Sequence, residues 1–584
     1  MEILRVIGKY REILSRHQKF RIIELSMLMI FGGILETCSV SFILPFMNIV
    51  LNPEETMQKP QIVFVCEVFG IRSARQFWII LAIMMALLYV LKNVYLLFEY
   101  NVQYKFVYGN MFVLQEKLLD NFIHRPYEYF LGVNSGEIIR VISGDTGDAF
   151  SLLVVILSLF TELIVSTMLI ITIFVITPVV TLCIAVLLII MLLIIYVVVK
   201  PILRRAGENQ HRASAESTKW LLQSIQGIKE LKVMGKESFF QKNYNTYGTM
   251  LINSTRINQT LSVAPRFIIE GICMGIFFVV VALLLSRGTK LESIIPMLTA
   301  VAMAAIRLLP AVNRVSSALT QVAYGEPMLN KVIENLKHID EYIDSTEKGS
   351  AGEECVPSFT KDISMKHISY HYPNSESNVL SDANIVINRG ETIGIIGPSG
   401  AGKTTSVDLI LGLLTPQSGK VLVDGVDVSC NLRSWLNQVG YIPQVIFMLD
   451  DTIEANVAFG IPKEKVDKSA VWAALTEAAL DTFVKNLPDG LHTQIGERGV
   501  RLSGGQRQRI GIARALYSNP NVLFFDEATS ALDSETENAI MDSIHKLRGK
   551  KTMIIIAHRI STLGGCDRVY KVDAEKIRST GDLT

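Results

Sequence analysis

The chain has 584 residues, with 56 lysines and arginines against 55 acidic residues, a formal net charge of +1, and half of its residues hydrophobic. A mean hydropathy of +0.36 is too high for an ordinary soluble enzyme, and near-neutrality excludes a polybasic nucleic-acid binder and an acidic disordered chain as readings of the whole. Seven cysteines, at positions 38, 66, 183, 273, 355, 430 and 566, are scattered, odd in number and without a CxxC, which argues against a disulfide framework and a zinc site.

The apolar excess lies in residues 1–330, which are read as a membrane domain. A helix needs about 20 predominantly apolar residues to cross a bilayer core, and six segments are assigned as spans. In chain order they are about 25–51 (carrying Glu36), 77–98 (Lys92), 151–177 (Glu162), 179–199 (no charge), 267–286 (Glu270) and 293–322. The sixth is interrupted by Arg307, Pro310 and Arg314 and is included because the topology requires an even number. Arg5, Lys9, Arg11, Arg16, Lys19 and Arg21 precede the first span, which places the N-terminus in the cytoplasm. No cleavable signal peptide fits this charged start and long first span.

Connection lengths alternate. Pro178 and its neighbours join spans 3 and 4, and Arg287 to Glu292 join spans 5 and 6, whereas about 50 and about 65 residues join spans 2 to 3 and 4 to 5. The second long link contains helix-forming sequence such as Glu216 to Phe240 and has no proline between Glu208 and Val263. Helical arms of about 30 residues would project ~45 Å from the bilayer and turn at the tip, a shape suited to docking on a cytoplasmic domain. The outer segment Gln61 to Ile71 is apolar but too short to span, and reads as an interfacial amphipathic helix or a loop packed on the protein.

Residues 331–358 pass from charged helix to small polar residues and read as a linker, leaving 359–584 as a second domain with enough chain for one substantial core. Within it, GPSGAGKT (Gly397, Pro398, Ser399, Gly400, Ala401, Gly402, Lys403, Thr404), followed by Thr405, lies between a strand-like TIGIIG and a helix-like TSVDLILGLL. This is GxxxxGK(S/T) in its strand-loop-helix setting. Backbone N–H groups close around phosphate oxygens, the helix presents its positive end, Lys403 meets the β and γ phosphates, and the Thr404 hydroxyl is a Mg²⁺ ligand. NVLFFDEA, residues 521–528, is a buried-strand pattern ending in Asp526, for the metal, and Glu527, for the attacking water.

Between these lies LSGGQRQRIGIARAL, residues 502–516. Here the chain resembles the ATP-binding cassette (ABC) transporter family over essentially all its length. The resemblance makes Ser503, Gly504, Gly505 and Gln506 the signature, Tyr372 in YHYP the adenine-stacking aromatic, Gln444 in YIPQ a metal-side glutamine, Asp533 in SALD a further nucleotide contact and His558 in IIIAHR the γ-phosphate switch. Glycines 504 and 505 allow close backbone approach to phosphate, and His558 can stabilise charge developing in transfer. TQIGERG, residues 493–499, resembles a loop of the exporter subclass.

The implied architecture is a six-helix α transmembrane domain with long cytoplasmic extensions, followed by an α/β P-loop nucleotide-binding domain with a helical subdomain. ATP and Mg²⁺ are the implied cofactors, Glu527, His558 and Lys403 the catalytic residues, and Thr404, Gln444 and Asp526 the metal side. In the family the P-loop of one cassette faces the signature of another, so a homodimer in the cell membrane is implied, with a heterodimer the alternative.

Cargo must be read from the spans. Lys92, Arg266, Arg307 and Arg314 are an excess of positive charge at membrane depth, which suits phosphate or pyrophosphate. Alternatively Arg266 pairs with Glu270 four residues on, and Arg314 lies below the bilayer. The segments ETCSVSFILPF, APRFIIEG and AIRLLPAVNR resemble bacterial lipid-linked oligosaccharide flippases of the protein-glycosylation type, in which such residues meet the lipid pyrophosphate. That resemblance implies an ATP-driven flippase moving a polyprenyl-pyrophosphate-linked glycan from the cytoplasmic to the outer leaflet. An exporter of drugs, lipids or peptides, and an ATP-gated channel or sensor, are the alternatives.

Overall fold

The computed structural model describes residues 2–41, 74–176, 178–286, 313–336, 359–373, 375, 377–527, 545–557, 564–573 and 575–579. The segment Gln61 to Ile71, Arg307 and most of the sixth assigned span, the linker from 337 onward, Asp533 and His558 lie outside the described residues. The chain divides into two compact units, one of residues 1–124 and 133–341 and one of 125–132 and 342–584.

The first unit is helical. Helix α1 (Glu2–Ile13) is amphipathic, and α2 (Arg16–Ser41) begins nine residues before the apolar run assigned as span 1, taking Arg16, Lys19 and Arg21 into its first turns. Helix α3 (Ala74–His124) has 51 residues. At 1.5 Å per residue that is ~75 Å, more than twice a bilayer's hydrocarbon thickness, so one helix supplies both a span and an arm. Its Ile79, Ile83, Leu87, Val90, Val94 and Leu97 are each more than half exposed. An apolar face left open along several turns is what lipid, not water, would cover. Among the described residues three helices are long and apolar enough to cross a membrane, beginning at Arg16, Arg75 and Ser135.

After α4 (Tyr127–Gly132), α5 (Ser135–Ile139) starts on Asn134, whose side chain accepts the Gly136 N–H. A π-helical turn, Arg140–Asp145, leads into α6 (Thr146–Ile176). Helix α7 (Pro178–Gln226, 49 residues) runs out to a tip made by the short α8 (Ile228–Met234), which Gly235 ends at φ +60, and α9 (Glu237–Ser286, 50 residues) returns. The buried core of this unit joins Met29, Phe106, Leu118, Phe150, Leu153 and Leu329. Two polar ties fix α1 on it: the Tyr10 hydroxyl donates to the Ala149 carbonyl at 2.6 Å, and Lys9 pairs with Glu326 at 2.6 Å. Helix α7 meets residues 313–336 closely enough that a Cβ at Gly207 would lie 2.4 Å from the Tyr324 carbonyl oxygen.

The second unit holds two sheets. Strands β1 (Asp362–Tyr370) and β2 (Leu380–Asn388) alternate buried and exposed positions, and join β4 (Ser418–Val423) and β5 (Val426–Asp427) in a four-stranded antiparallel sheet ordered β2-β1-β4-β5. Strand β3 (Thr392–Ile396) is followed by the P-loop and helix α10 (Lys403–Leu411). Strand β6 (Val439–Ile442) precedes the helical subdomain α11 (Ile453–Val457), α12 (Lys468–Glu477) and α13 (Asp481–Lys485), and then the signature helix α14 (Gly504–Tyr517). Strands β7 (Val522–Asp526), β8 (Thr552–Ile556), β9 (Arg568–Asp573) and β10 (Lys576–Ser579) complete a six-stranded sheet ordered β10-β9-β3-β8-β7-β6.

Every β7 and β8 residue is buried, as continuous apolar runs are in a parallel sheet covered on both faces. Phe524 faces one core with Trp435, Leu409 and Ile410, and Phe525 faces the other with Ile510, Ile512 and Leu475. Thus α10 and α14 belong to opposite cores. The helix α4 is part of this unit, and its Glu128 carboxylate accepts the Thr415 N–H at 2.8 Å.

Candidate functional site

The P-loop leaves β3 between β8 and β9, at the carboxyl end of a parallel sheet, where α/β folds bind ligands. Two glycines are obligatory there for space. A Cβ at Gly397 would lie 2.3 Å from the Val572 carbonyl oxygen, and Gly402, at φ +100, would drive one to 2.8 Å from the Val379 side chain. Gly402 is also the N-cap of α10 and supplies no side-chain acceptor. The first N–H groups of that helix are therefore available to an anion. Lys403 is 5% exposed and its ammonium donates to the carbonyls of Gly397 and Pro398, both at 3.0 Å. A buried cation held inside its own loop is placed to exchange those carbonyls for phosphate oxygens. Ser399, Gly400 and Thr404 are exposed, Ala401 is half-buried, and Thr405 is buried.

Tyr372, after β1, packs edge-on against Tyr370 with ring centroids 5.3 Å apart and shares a 2.9 Å hydrogen bond with the Thr405 hydroxyl. The adenine aromatic of the sequence reading is thus joined to the helix that carries the P-loop lysine.

Strand β7 delivers the two acidic residues. Asp526 is 6% exposed, and its Oδ2 accepts the Tyr441 hydroxyl at 3.3 Å. Burial first and the Glu527 charge second push its carboxyl above the ordinary range, while the Tyr441 hydroxyl, Lys403 and the Thr404 hydroxyl pull it back. Glu527 has φ +51, a left-handed backbone that a non-glycine residue seldom adopts, and its N–H donates to the Ile556 carbonyl at 3.3 Å. Strain of this kind gathers at functional sites. Gln444 donates from Nε2 to Glu527 Oε2 at 2.6 Å. The structure therefore brings Lys403, Thr404, Gln444, Asp526 and Glu527 to one end of the sheet. Their donors, buried cation and carboxylates fit a magnesium nucleotide.

Ser503 caps α14 in a reciprocal box: its hydroxyl accepts the Gln506 N–H at 3.2 Å, and its own N–H donates to the Gln506 side chain at 2.9 Å. Gly504 has open space around it. Arg514 pins the same helix by donating to the carbonyls of Asn456 and Phe447, both at 2.8 Å. Burial pulls its guanidinium down to about 10.

Three residues of the site escape motif reading: Tyr441, Arg514 and Asp408. Burial first and the Asp526 charge second push the Asp408 carboxyl up to about 6. Tyr441 carries the one available signal, its position three residues before Gln444.

In the first unit, Lys92 stands over the Tyr89 ring at 5.3 Å from its centroid. Arg266 is exposed and lies beside the Phe267 ring, and among the described residues it makes no ion pair with Glu270. Arg314 is bidentate on Glu162, at 2.6 and 3.0 Å, from a side chain that is still 58% exposed.

Comparison with known proteins matches the family model "ABC transporter" over residues 380–530, which contain the P-loop, signature and β7 acids, and "ABC transporter transmembrane region" over 59–306. The chain belongs to the ABC transporter family. The transporter is 32% identical over 393 residues to a leukotoxin export ATP-binding protein of Aggregatibacter actinomycetemcomitans, covering 66% of this chain and 53% of that one. It is 31% identical over 386 residues to an ATP-dependent lipid A-core flippase of Methylobacillus flagellatus, covering 65% of this chain and 63% of that one. Such matches span about half to two thirds of the relatives' own lengths. A solved structure of a bacterial Atm1-family ABC exporter with ATP bound superposes with a TM-score of 0.74 at 22% identity, covering 96% of this chain and 94% of that one. The fold is that of an ABC exporter, a multi-pass membrane protein with a nucleotide-binding cassette.

Proposed function

We propose that the transporter hydrolyses ATP and uses it to move an amphiphilic cargo, a polyprenyl-pyrophosphate-linked oligosaccharide, from the cytoplasmic to the outer leaflet. The observation that supports hydrolysis is the convergence of buried Lys403 and Asp526, with half-buried Glu527 beside them, on the open N-terminus of α10. Mg²⁺ supplies charge neutralisation on phosphate oxygens when bound, and Thr404, Gln444 and Asp526 would hold it. Lys403 orients the phosphates, and Glu527 takes the proton of the attacking water at its carboxylate. Glu527 is now bonded to Gln444, so Gln444 must release it before it can serve the water.

A single chain carries one P-loop and one signature, on helices that belong to opposite cores. A second copy completes the pair in this reading, giving a homodimer with two composite sites. Asp533 and His558 serve those sites as nucleotide contact and γ-phosphate switch.

The cargo reading rests on Lys92, Arg266, Arg307 and Arg314. Arg314 reaches Glu162 from a side chain that is still more than half exposed, so a pyrophosphate would compete with one carboxylate for its guanidinium. A broader reading, an exporter of lipids, toxins or peptides, has the support of relatives named for leukotoxin export and for lipid A-core flipping. Reconstituted vesicles decide between them. The glycolipid reading expects Arg266→Ala with Arg307→Ala to abolish flipping of the glycolipid; unchanged flipping sinks it. An ATP-gated channel or sensor instead retains its function when Glu527→Gln stops turnover.

A further inference from the structure

We infer that Tyr441 is a positioning residue for Asp526, one of a pair of donors on and just beyond an edge strand that hold the two adjacent acidic residues apart. The inference rests on the nucleotide-site part of the proposed function and is independent of the cargo. In the parallel pairing of β6 with β7, Tyr441 stands opposite Phe524 and Ile442 opposite Phe525, so β6 ends one residue short of Asp526, the last residue of β7. From that end the Tyr441 hydroxyl donates to Asp526 Oδ2 at 3.3 Å. Three residues later Gln444 donates to Glu527 Oε2 at 2.6 Å.

Each carboxylate thus has its own donor from one short segment. The arrangement matters because neighbouring carboxylates repel, and in a buried setting that repulsion is poorly screened. A freely rotating Asp526 would turn away from Glu527 and from any site between them. Tyr441 removes that freedom: its ring is packed against the core of Phe524 and Trp435, so the hydroxyl is carried on a fixed arm.

The test uses the full-length transporter in nanodiscs and compares Tyr441→Phe, which deletes only the oxygen, with the natural protein. Mn²⁺ stands in for Mg²⁺ and its binding with a non-hydrolysable ATP analogue is followed by electron paramagnetic resonance. Nucleotide affinity without metal is measured alongside. The expected result is roughly tenfold weaker Mn²⁺ binding, the scale of one hydrogen bond to a charged group, with metal-free nucleotide affinity unchanged. ATPase titrations should show the same rise in the Mg²⁺ needed for half-maximal rate, with kcat at saturating Mg²⁺ little altered. In an Asp526→Asn background, Tyr441→Phe should add nothing further, because both act through one carboxylate.

Mn²⁺ affinity within about twofold of the natural protein, or an equal fall in metal-free nucleotide affinity, overturns the inference. Full additivity with Asp526→Asn overturns it as well. Failure of the natural protein to bind nucleotide at all would instead refute the ATP-site reading beneath it.

Discussion

Asp408 shows how a site can carry a charge that its fold disfavours. The residue is 9% exposed and its carboxyl is pushed to about 6, above an ordinary value near 3.9. The folded protein binds this proton more tightly than the unfolded chain does. Stability contributed by the group is therefore full below about pH 4 and falls as pH rises toward 6. Asp408→Asn should remove the penalty, raising the stability of the nucleotide-free, metal-free cassette by about 1 kcal/mol at pH 7.5, after allowance for solvent screening. Thermal unfolding followed at pH 7.5 and pH 5 checks this. An equal gain at both would show that the carboxyl is not the cause. Glu527 makes a related point through its backbone: a left-handed φ at a non-glycine residue is strain that the surrounding sheet must hold.

At the scale of elements, the start of β1 is fastened by one side chain. Asp424, in the turn between β4 and β5, accepts the N–H groups of Thr360, Lys361 and Asp362 at 2.6, 2.8 and 2.9 Å, and the Thr360 hydroxyl as well. Burial raises its carboxyl, but these donors outweigh it and hold the group below the ordinary range. Asp424→Ala would free those donors and loosen the first strand, costing about 1–2 kcal/mol given partial solvent access. Hydrogen exchange over residues 359–366 should rise while exchange in α14 stays as before. Faster exchange throughout the cassette would point instead to global unfolding.

Sequence patterning read these elements unevenly. The continuous apolar run VLFFD and the GPSGAGKT loop foretold β7 and the strand-loop-helix unit, because a strand buried on both faces has few alternatives. The start of α2 was not legible: its basic first turns carry no apolar periodicity, and a hydropathy criterion begins only where charge ends. Nor could spacing find Asp408, Arg514 or the Tyr441 to Asp526 bond. Each depends on which strand or helix lies beside another.

For the whole molecule, the proposed function makes the chain half of a machine whose sites form between copies. Two defective chains should then complement. Lys403→Ala removes the P-loop lysine and Ser503→Arg blocks the signature, and each alone should be inactive. Co-assembled as a random mixture, half of the dimers would pair one of each, leaving one composite site intact and restoring about a quarter of the natural ATPase rate. No recovery from a mixture in which mixed dimers are demonstrated would argue against independent composite sites.

The pair of exposed Arg314 with buried Glu162 belongs to this scale too, since a charge at membrane depth persists only with a partner or a purpose. If cargo competes for Arg314, Glu162→Gln should increase the affinity for a pyrophosphate lipid several-fold by releasing the guanidinium. A fall in affinity, measured by lipid-stimulated ATPase, would make the pair purely structural.

By itself the sequence determined the two-part organisation, the membrane character of the first part and the nucleotide chemistry of the second. Those properties follow from local patterns: runs of apolar residues as long as a bilayer is thick, and glycines, lysine and carboxylates at fixed spacing. Only the tertiary structure decided that α4 belongs with the cassette, that Arg314 is held by Glu162 and not Arg266 by Glu270, and that Tyr441 and Gln444 each hold one of two adjacent acids. Those are choices of partner between residues far apart in the chain, set by how helices cross and strands align.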